Sequence, residues 1–392
     1  MNTTFRWWVQ NRHEAIKEWK EKNQKKAVGY FCCVVPEELI SAVGALPVKI
    51  TGSSEPPAFV DDHMVQYGCG FVRSCFDLAA RGIYDYLDTV IIPNTCDLVS
   101  RMEYWYRVAS PKESTILMGL EAHPYVFYLN YPEKVTGTGV HYFLLNQFRV
   151  LKQHLERLTN TYITDEMLRE TLDVYNEHYH YMDELDALRK QDPPLVSGYE
   201  AWEAEFASLL MPKSDHNSLM KDYLDDVRQG DGGKNKGVRL FLSGSSIDQE
   251  AAELYRIIEE SGGQVVAEDL STGTSYIRGI SFDTGKQPLD AIVKNSLSVP
   301  CPRNTVDATL VNPWPEWRWE YINRLVQERE IKGAIIYNLN YCECRGLELC
   351  HFKDKFRENY GVPTLLLSGD YTPEVLEESR SKIEAFIEMI GD

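Results

Sequence analysis

Val90-Ile-Ile-Pro-Asn-Thr-Cys-Asp-Leu-Val-Ser-Arg101 is the stretch on which the fold turns. A short β-branched run, of the kind that suits a buried strand, stops at Pro93, and Cys96 follows where a helical pattern begins. The same grammar returns near the other end of the chain, where Gly333-Ala-Ile-Ile-Tyr-Asn-Leu-Asn-Tyr341 runs straight into Cys342. Ligands of α/β proteins settle beyond the carboxyl ends of strands. Two cysteines at two strand mouths therefore mark candidate chemistry.

Working outward, 27–35 and 46–50 read as buried strands, with an amphipathic helix over 10–26 and another opened by Pro36-Glu37-Glu38. Helices are predicted over 71–84, 97–107 and 140–158, and a strand over 125–130. This alternation predicts a parallel sheet covered on both faces. The middle of the chain changes character. Thr164 is placed to cap a helix whose apolar stripe is Leu168, Leu172, Tyr175, Tyr179 and Met182, and two further helical runs follow. Gln229 to Gly237 has the composition of a linker. A second α/β unit starts at Val238, with strands over 238–242, 264–267, 333–339 and 363–367 and helices over 247–260, 317–328, 344–359 and from Thr372 onward. Residues 269–315 read as an irregular loop over a site. The expected architecture is α/β: two Rossmann-like parallel-sheet domains, 1–160 and 237–392, joined by a helical connecting segment over 161–236.

Composition narrows the function. A net charge of −18 over 392 residues argues against a nucleic-acid partner. No apolar run approaches the roughly 20 residues of a membrane helix, and the N-terminus lacks the apolar core of a secretory signal, so a cytoplasmic protein is expected. Nine cysteines in a reducing compartment are buried thiols or metal ligands, and the absence of any Cys-x-x-Cys pair means that ligands must come from distant segments. Neither common phosphate-binding glycine motif is present, nor is His-Glu-x-x-His or Gly-x-Ser-x-Gly.

Cys96 and Cys342 sit where a helix start stabilises thiolate, the form that binds metal. As small side chains they also suit plain burial, and both readings stay open. Cys69 lies between Gly68 and Gly70, and Cys301 is held between Pro300 and Pro302. Cys32 and Cys33 are assigned to a strand, one of them facing the core and either within reach of a metal centre, and Cys75, Cys344 and Cys350 to packing in or beside helices. Leu242-Ser-Gly-Ser-Ser246 is placed to cradle a phosphate after its strand but reads first as a plain turn, and His178 and His180 read as surface residues. A cysteine–histidine hydrolase also stays open as a class, although nothing pairs a particular histidine with Cys96.

Several segments carry a family resemblance. Tyr30-Phe-Cys-Cys-Val-Val-Pro-Glu-Glu-Leu-Ile40, Ala42-Val-Gly-Ala-Leu-Pro-Val48, Pro93-Asn-Thr-Cys-Asp97, Asn340-Tyr-Cys-Glu343 and the closing Ile383-Glu-Ala-Phe-Ile387 together resemble the 2-hydroxyacyl-CoA dehydratase and benzoyl-CoA reductase family over nearly the whole chain. The resemblance implies a [4Fe–4S] cluster held by Cys69, Cys96 and Cys342, with Cys301 and Cys32 as additional candidate ligands. It also implies a homologous second subunit, an ATP-dependent iron–sulfur activator and an acyl-CoA or aryl-CoA substrate. Leu210 to Leu224 is similar to the smaller, cluster-bearing chain of benzoyl-CoA reductases, which implies dearomatising reduction of an aryl-CoA. Pro300-Cys-Pro302 is more like the (R)-2-hydroxyacyl-CoA dehydratases, which act by a ketyl radical, and the double-cubane [8Fe–9S] cluster proteins. A dehydratase, a double-cubane reductase and a non-catalytic cluster-holding or electron-relay subunit are therefore the alternatives.

Overall fold

The structure is a computed structural model that describes residues 3–391 apart from 56, 58, 110–124, 231–235, 246, 247, 249–251, 271–280, 286, 307–313 and 371. Two four-stranded sheets organise it. β1 (Ala27–Tyr30), β2 (Leu46–Lys49), β3 (Thr89–Pro93) and β4 (Val126–Leu129) pair in the order β2-β1-β3-β4. β5 (Val238–Gly244), β6 (Gly263–Asp269), β7 (Gly333–Leu339) and β8 (Thr364–Gly369) pair in the order β6-β5-β7-β8. Every pairing is parallel. β1, β2, β3 and β6 are buried at every position, as strands covered on both faces must be. The α/β class with two parallel sheets is the architecture that the alternating pattern predicted.

In each sheet the chain steps outward from its first strand to its second, then crosses back to add the third on the other side. The strand order therefore reverses between β1 and β3 and again between β5 and β7. The loops leaving those strands diverge there and open a crevice. Gly244 closes β5 at φ +155, and a Cβ there would stand 2.1 Å from the Tyr337 carbonyl oxygen, so only glycine fits.

Helices cover the sheets: α1 (Thr3–Gln10), α2 (Arg12–Asn23), α3 (Glu37–Ala42), α4 (Gly70–Ala80), α5 (Asp97–Ala109) and α6 (Val140–Thr159). Between the sheets lie α7 (Asp165–Lys190), α8 (Gly198–Ala207) and α9 (Lys213–Gln229). Thr164 accepts from the Met167 amide at the start of α7, and Leu168, Leu172, Tyr175, Tyr179 and Met182 are all buried along it. A capping box of Ser197 and Glu200 opens α8. Arg189, fully buried at the end of α7, reaches Glu268 at 3.0 Å and Glu205 at 3.5 Å, tying the helices to β6. The second sheet carries α10 (Glu253–Glu260), α11 (Pro288–Ser298), α12 (Glu316–Glu328), α13 (Glu343–Tyr360), α14 (Pro373–Glu377) and α15 (Arg380–Gly391).

Four expectations are corrected. β1 ends at Tyr30 rather than Val35, because Cys32 takes φ +61 and turns the chain out of the sheet. Residues 269–315 are not irregular throughout, since α11 starts on a proline and buries Ile292 and Val293. His178 is buried, because α7 packs against α3, α9 and α11 and so has more than one covered face; only His180 is exposed. The terminal helix is two, α14 and α15, parted at Glu378 and Ser379. Of the expected helix over 247–260, residues 253–260 are helical, while 247 and 249–251 lie outside the described residues, as do 231–235 of the expected linker.

Candidate metal centre

A cavity of about 210 Å³ is lined by loops from the carboxyl ends of both sheets. Seven of the nine cysteines line it. Cys32 and Cys33 follow β1, Cys69 precedes α4 and Cys96 follows β3. Cys301 comes from the loop after α11, and Cys342 and Cys344 follow β7. The remaining two are elsewhere: Cys75 is buried within α4, and Cys350 is exposed on α13. The expected set of Cys69, Cys96 and Cys342 thus meets in one place, and Cys301 and Cys32 join it.

Three of the cysteines share one local geometry. Cys69 and Cys342 are the residues immediately before α4 and α13, and Cys96 stands immediately before α5. Each backbone carbonyl accepts the first helical hydrogen bond, from Arg73, Gly346 and Ser100 respectively. Their side chains therefore lie at the positive ends of three helices, where negative charge is stabilised. The Val99 amide donates to Cys96 Sγ at 3.5 Å. The Val72 and Arg345 amides act on Cys69 and Cys342 from the same position three residues on. The Asp97 amide donates to Glu343 Oε2 at 3.1 Å, so the starts of α5 and α13 are joined across the cavity mouth.

The loop carrying Cys301 is fastened on both sides. Arg318 Nη1 donates to the Pro300 carbonyl at 2.5 Å, and Trp314 Nε1 donates to the Pro302 carbonyl at 2.8 Å. Arg303 in turn donates to the carbonyls of Asn94 and Thr95, just ahead of Cys96, and to that of Pro132 at 3.2 Å. One guanidinium thus sets the loop of the first sheet against the loop of the second. Arg318 also meets Asp269 at 2.8 Å and Glu348 at 2.5 Å, and Arg345 meets Asp269 at 2.6 Å, all of them buried. Burial pushes the Asp269 carboxyl up, yet these two arginines hold it well below the usual carboxylate range.

The thiols stand in hydrogen-bonded pairs: Cys69 with Cys342, Cys96 with Cys344, and Cys33 with Cys301. In each pair one sulfur donates and the other is favoured as thiolate. The Cys69 hydrogen bond lowers Cys342 to about 6, helped by Ser245, and the Cys33 hydrogen bond lowers Cys301 to about 6. The Cys344 hydrogen bond likewise lowers Cys96. The donors Cys69, Cys344 and Cys33 are pushed up by that same bond and by burial. Cys32 makes no such pair. Burial raises it to about 11, and its sulfur lies 2.9 Å from Thr95 Oγ1.

This donor set fits an iron–sulfur centre. It is all sulfur, it is gathered from distant segments, and removing the second proton of any pair leaves two like charges in contact, which a cationic iron core neutralises. Among the described residues no three His, Cys, Asp or Glu side chains gather closely enough to bind a single metal ion. Thiols spaced around a void instead suit a polynuclear centre that brings its own sulfides.

Sequence reasoning missed three residues here and left a fourth, Cys33, as one of two adjacent cysteines either of which was within reach of the centre. Cys344, assigned to helix packing, lines the cavity because it lies in the first turn of α13, two residues beyond Cys342. Cys33 reaches the cavity because the chain has already left β1. Ser245, assigned to a plain turn, faces Cys342 at the end of β5. Lys49, only 3% exposed, ends β2 with its ammonium 5.4 Å from the Tyr30 ring centroid, and its charge favours thiolate at Cys32 and Cys33. The adjacent Cys32-Cys33 and the Cys342-Glu-Cys344 spacing were the available signals.

Two parallel sheets whose carboxyl-end loops bring thiols to one shared cavity define a class, the α/β proteins with two Rossmann-like sheets and a cysteine-lined cavity between their loops. The chain belongs to the 2-hydroxyglutaryl-CoA dehydratase, D-component family, whose sequence profile matches residues 32–390. It is 24% identical over 382 residues to the (R)-phenyllactyl-CoA dehydratase beta subunit of Clostridium sporogenes, covering 97% of this chain and 96% of that one. It is 26% identical over 353 residues to one of the subunits of benzoyl-CoA reductase from Thauera aromatica, covering 88% and 86%. It is 21% identical over 369 residues to the (R)-2-hydroxyglutaryl-CoA dehydratase subunit beta of Acidaminococcus fermentans, covering 93% of each. These relatives are all named as subunits, which implies a partner chain. No helix among the described residues is long and apolar enough to cross a membrane.

Proposed function

We propose that this chain is the cluster-bearing subunit of an enzyme that delivers low-potential electrons to a CoA thioester. The observation that carries the proposal is the gathering of seven cysteines on one cavity by two independent sheets. Cys69, Cys96 and Cys342, each at a helix start, would hold one iron–sulfur cubane. Cys33, Cys301 and Cys344, each paired with another cavity cysteine, would hold a second, with Cys32 as a reserve donor beside Thr95. The double-cubane form is favoured over a single [4Fe–4S] cluster because three ligands alone would leave four thiols of the same wall unused. Such a centre, when bound, supplies single electrons at low potential. The chain's own part is to hold the thiolates with three helix starts and to bind the loops together through Arg303 and Arg318.

For the substrate, reduction of an aryl-CoA is supported by the likeness to the benzoyl-CoA reductase chain. Dehydration of a 2-hydroxyacyl-CoA is the second reading, supported by the dehydratase names of the other relatives. A homologous partner subunit and an ATP-dependent iron–sulfur activator complete the proposed enzyme. The test is anaerobic incubation of the protein and its partner subunit with activator and ATP, offering benzoyl-CoA in one arm and a 2-hydroxyacyl-CoA in another. A dienoyl product supports the first reading and an enoyl-CoA the second. Turnover of neither, with the centre loaded and reduced, removes both substrates.

A further inference from the structure

A second, smaller cavity of about 50 Å³ shares one lining residue with the first, Cys33. Its other walls include Glu37 and Glu38 of α3, His178 and Tyr179 of α7, and Lys213 of α9. Glu37 is well satisfied: Tyr30 donates to it at 2.5 Å and Lys213 at 2.8 Å. Glu38 is held more loosely, by Tyr179 at 3.3 Å. His178 is fully buried, yet neither ring nitrogen makes a hydrogen bond to a described residue, and Asn217 faces the ring without closing one. Burial keeps this imidazole neutral, so it carries one N–H and one lone pair with nothing to meet them. Buried polar groups of that kind are ordinarily satisfied by water, and a space of this size admits water molecules.

We propose that the small cavity is a proton-supply site for the cysteine cavity, in which Glu38 carries the transferable proton, ordered water conducts it and Cys33 forms the wall where the two spaces meet. The inference rests on the reading of the cysteine cavity as an electron-delivering centre. Reduction of an aryl-CoA ring takes up two electrons and two protons and forms two C–H bonds. The electrons come from the low-potential iron–sulfur activator. Each proton leaves the Glu38 carboxyl through the cavity water, and the carboxylate so formed is reprotonated from solvent. Glu38 suits the task, since burial and the neighbouring Glu37 charge raise its carboxyl to about 7 against the opposing pull of its own backbone amide, Lys213 and Tyr179. Tyr175, which faces both glutamates, stays neutral because burial pushes its hydroxyl well up. A carboxyl poised near neutrality is half loaded at working pH.

The test is made on the anaerobically purified full chain. Infrared difference spectra from about pH 5 to about pH 9 bracket the Glu38 transition near 7. A protonated-carboxyl band that titrates there is expected in the wild type and is lost in Glu38→Gln, which keeps the side-chain shape. Tyr179→Phe, which removes a hydrogen bond that favours the carboxylate, moves the same band's titration to higher pH. On reduction of the centre, Glu38 takes up a proton, so the midpoint potential falls as pH rises above about 7 in the wild type and is flat there in Glu38→Gln. Iron analysis of the same samples separates the two ways to fail. Iron-free protein overturns the electron-delivery reading beneath the inference. Iron-loaded protein whose potential keeps its pH slope in Glu38→Gln overturns the proton-supply site alone.

Discussion

The two sheets share one strand order, yet they equip the same topological point differently. In the first, the central strand β1 ends in Cys32 and Cys33, and β3 ends at Cys96. In the second, the equivalent β5 ends in Ser245, and β7 ends at Cys342 with Cys344 behind it. The supports differ as well. The β3 loop is held by its backbone carbonyls and by Arg303, borrowed from the other half. The C-terminal half is framed by its own buried charges, Arg318, Asp269, Glu348 and Arg345. A repeated topology therefore fixes where the thiols gather, while the side chains decide which half supplies most of them and which supplies the charged frame.

That contrast is open to attack. The largest expected effect is Arg318→Met, which leaves Arg345 as the one arginine facing two buried carboxylates, Asp269 and Glu348, and is expected to cost about 3–5 kcal/mol in denaturant unfolding. Arg303→Met removes hydrogen bonds to backbone carbonyls and strands no buried charge, so it is expected to cost roughly 2–3 kcal/mol. Equal losses for the two variants would erase the difference between a charged frame and a clamped loop.

Acidity separates the halves next. Asp269 is held below its ordinary 3.8, so its contribution is present above that value and is lost as pH falls; Asp269→Asn removes that acid limb. Glu38, on the side of the first sheet, is raised to about 7, so its contribution is full below 4.5 and is lost as pH rises to about 7. Unfolding free energies followed across pH are expected to show opposite slopes, each flattened only by its own variant. The smallest effect is reserved for the helices between the sheets. Thr164→Ala removes the cap of α7 at a cost of about 1 kcal/mol and leaves iron content unchanged. Loss of iron in that variant would mean that the cavity depends on the helices as much as on either sheet.

Much of this was legible in the chain. β-branched and apolar runs stopped by Pro93 or running into Tyr341 predict buried parallel strands, and a cysteine just beyond each predicts a site at the strand mouths. What the pattern hides depends on single backbone torsions and on contacts between distant segments. Nothing in Tyr30-Phe-Cys-Cys announces that Cys32 adopts φ +61, so composition alone makes the strand too long and keeps Cys33 in it. His178 sits on a helix rich in charge, and only the packing of α3, α9 and α11 around α7 buries it. Cys344 looks like helix filling because its partner Cys96 is 248 residues away in sequence, and sequence spacing cannot express that meeting.

Every role assigned to the cavity cysteines depends on the centre itself. Iron and acid-labile sulfide are to be counted per chain after anaerobic purification, for the wild type and for Cys33→Ala, Cys96→Ala and Cys350→Ser. About eight irons are expected in the wild type, with loss in Cys33→Ala and Cys96→Ala and no change in Cys350→Ser, whose thiol lies outside the cavity. About four irons, unchanged in Cys33→Ala, would reduce the centre to the single cubane of Cys69, Cys96 and Cys342. A wild-type chain without iron would contradict it outright.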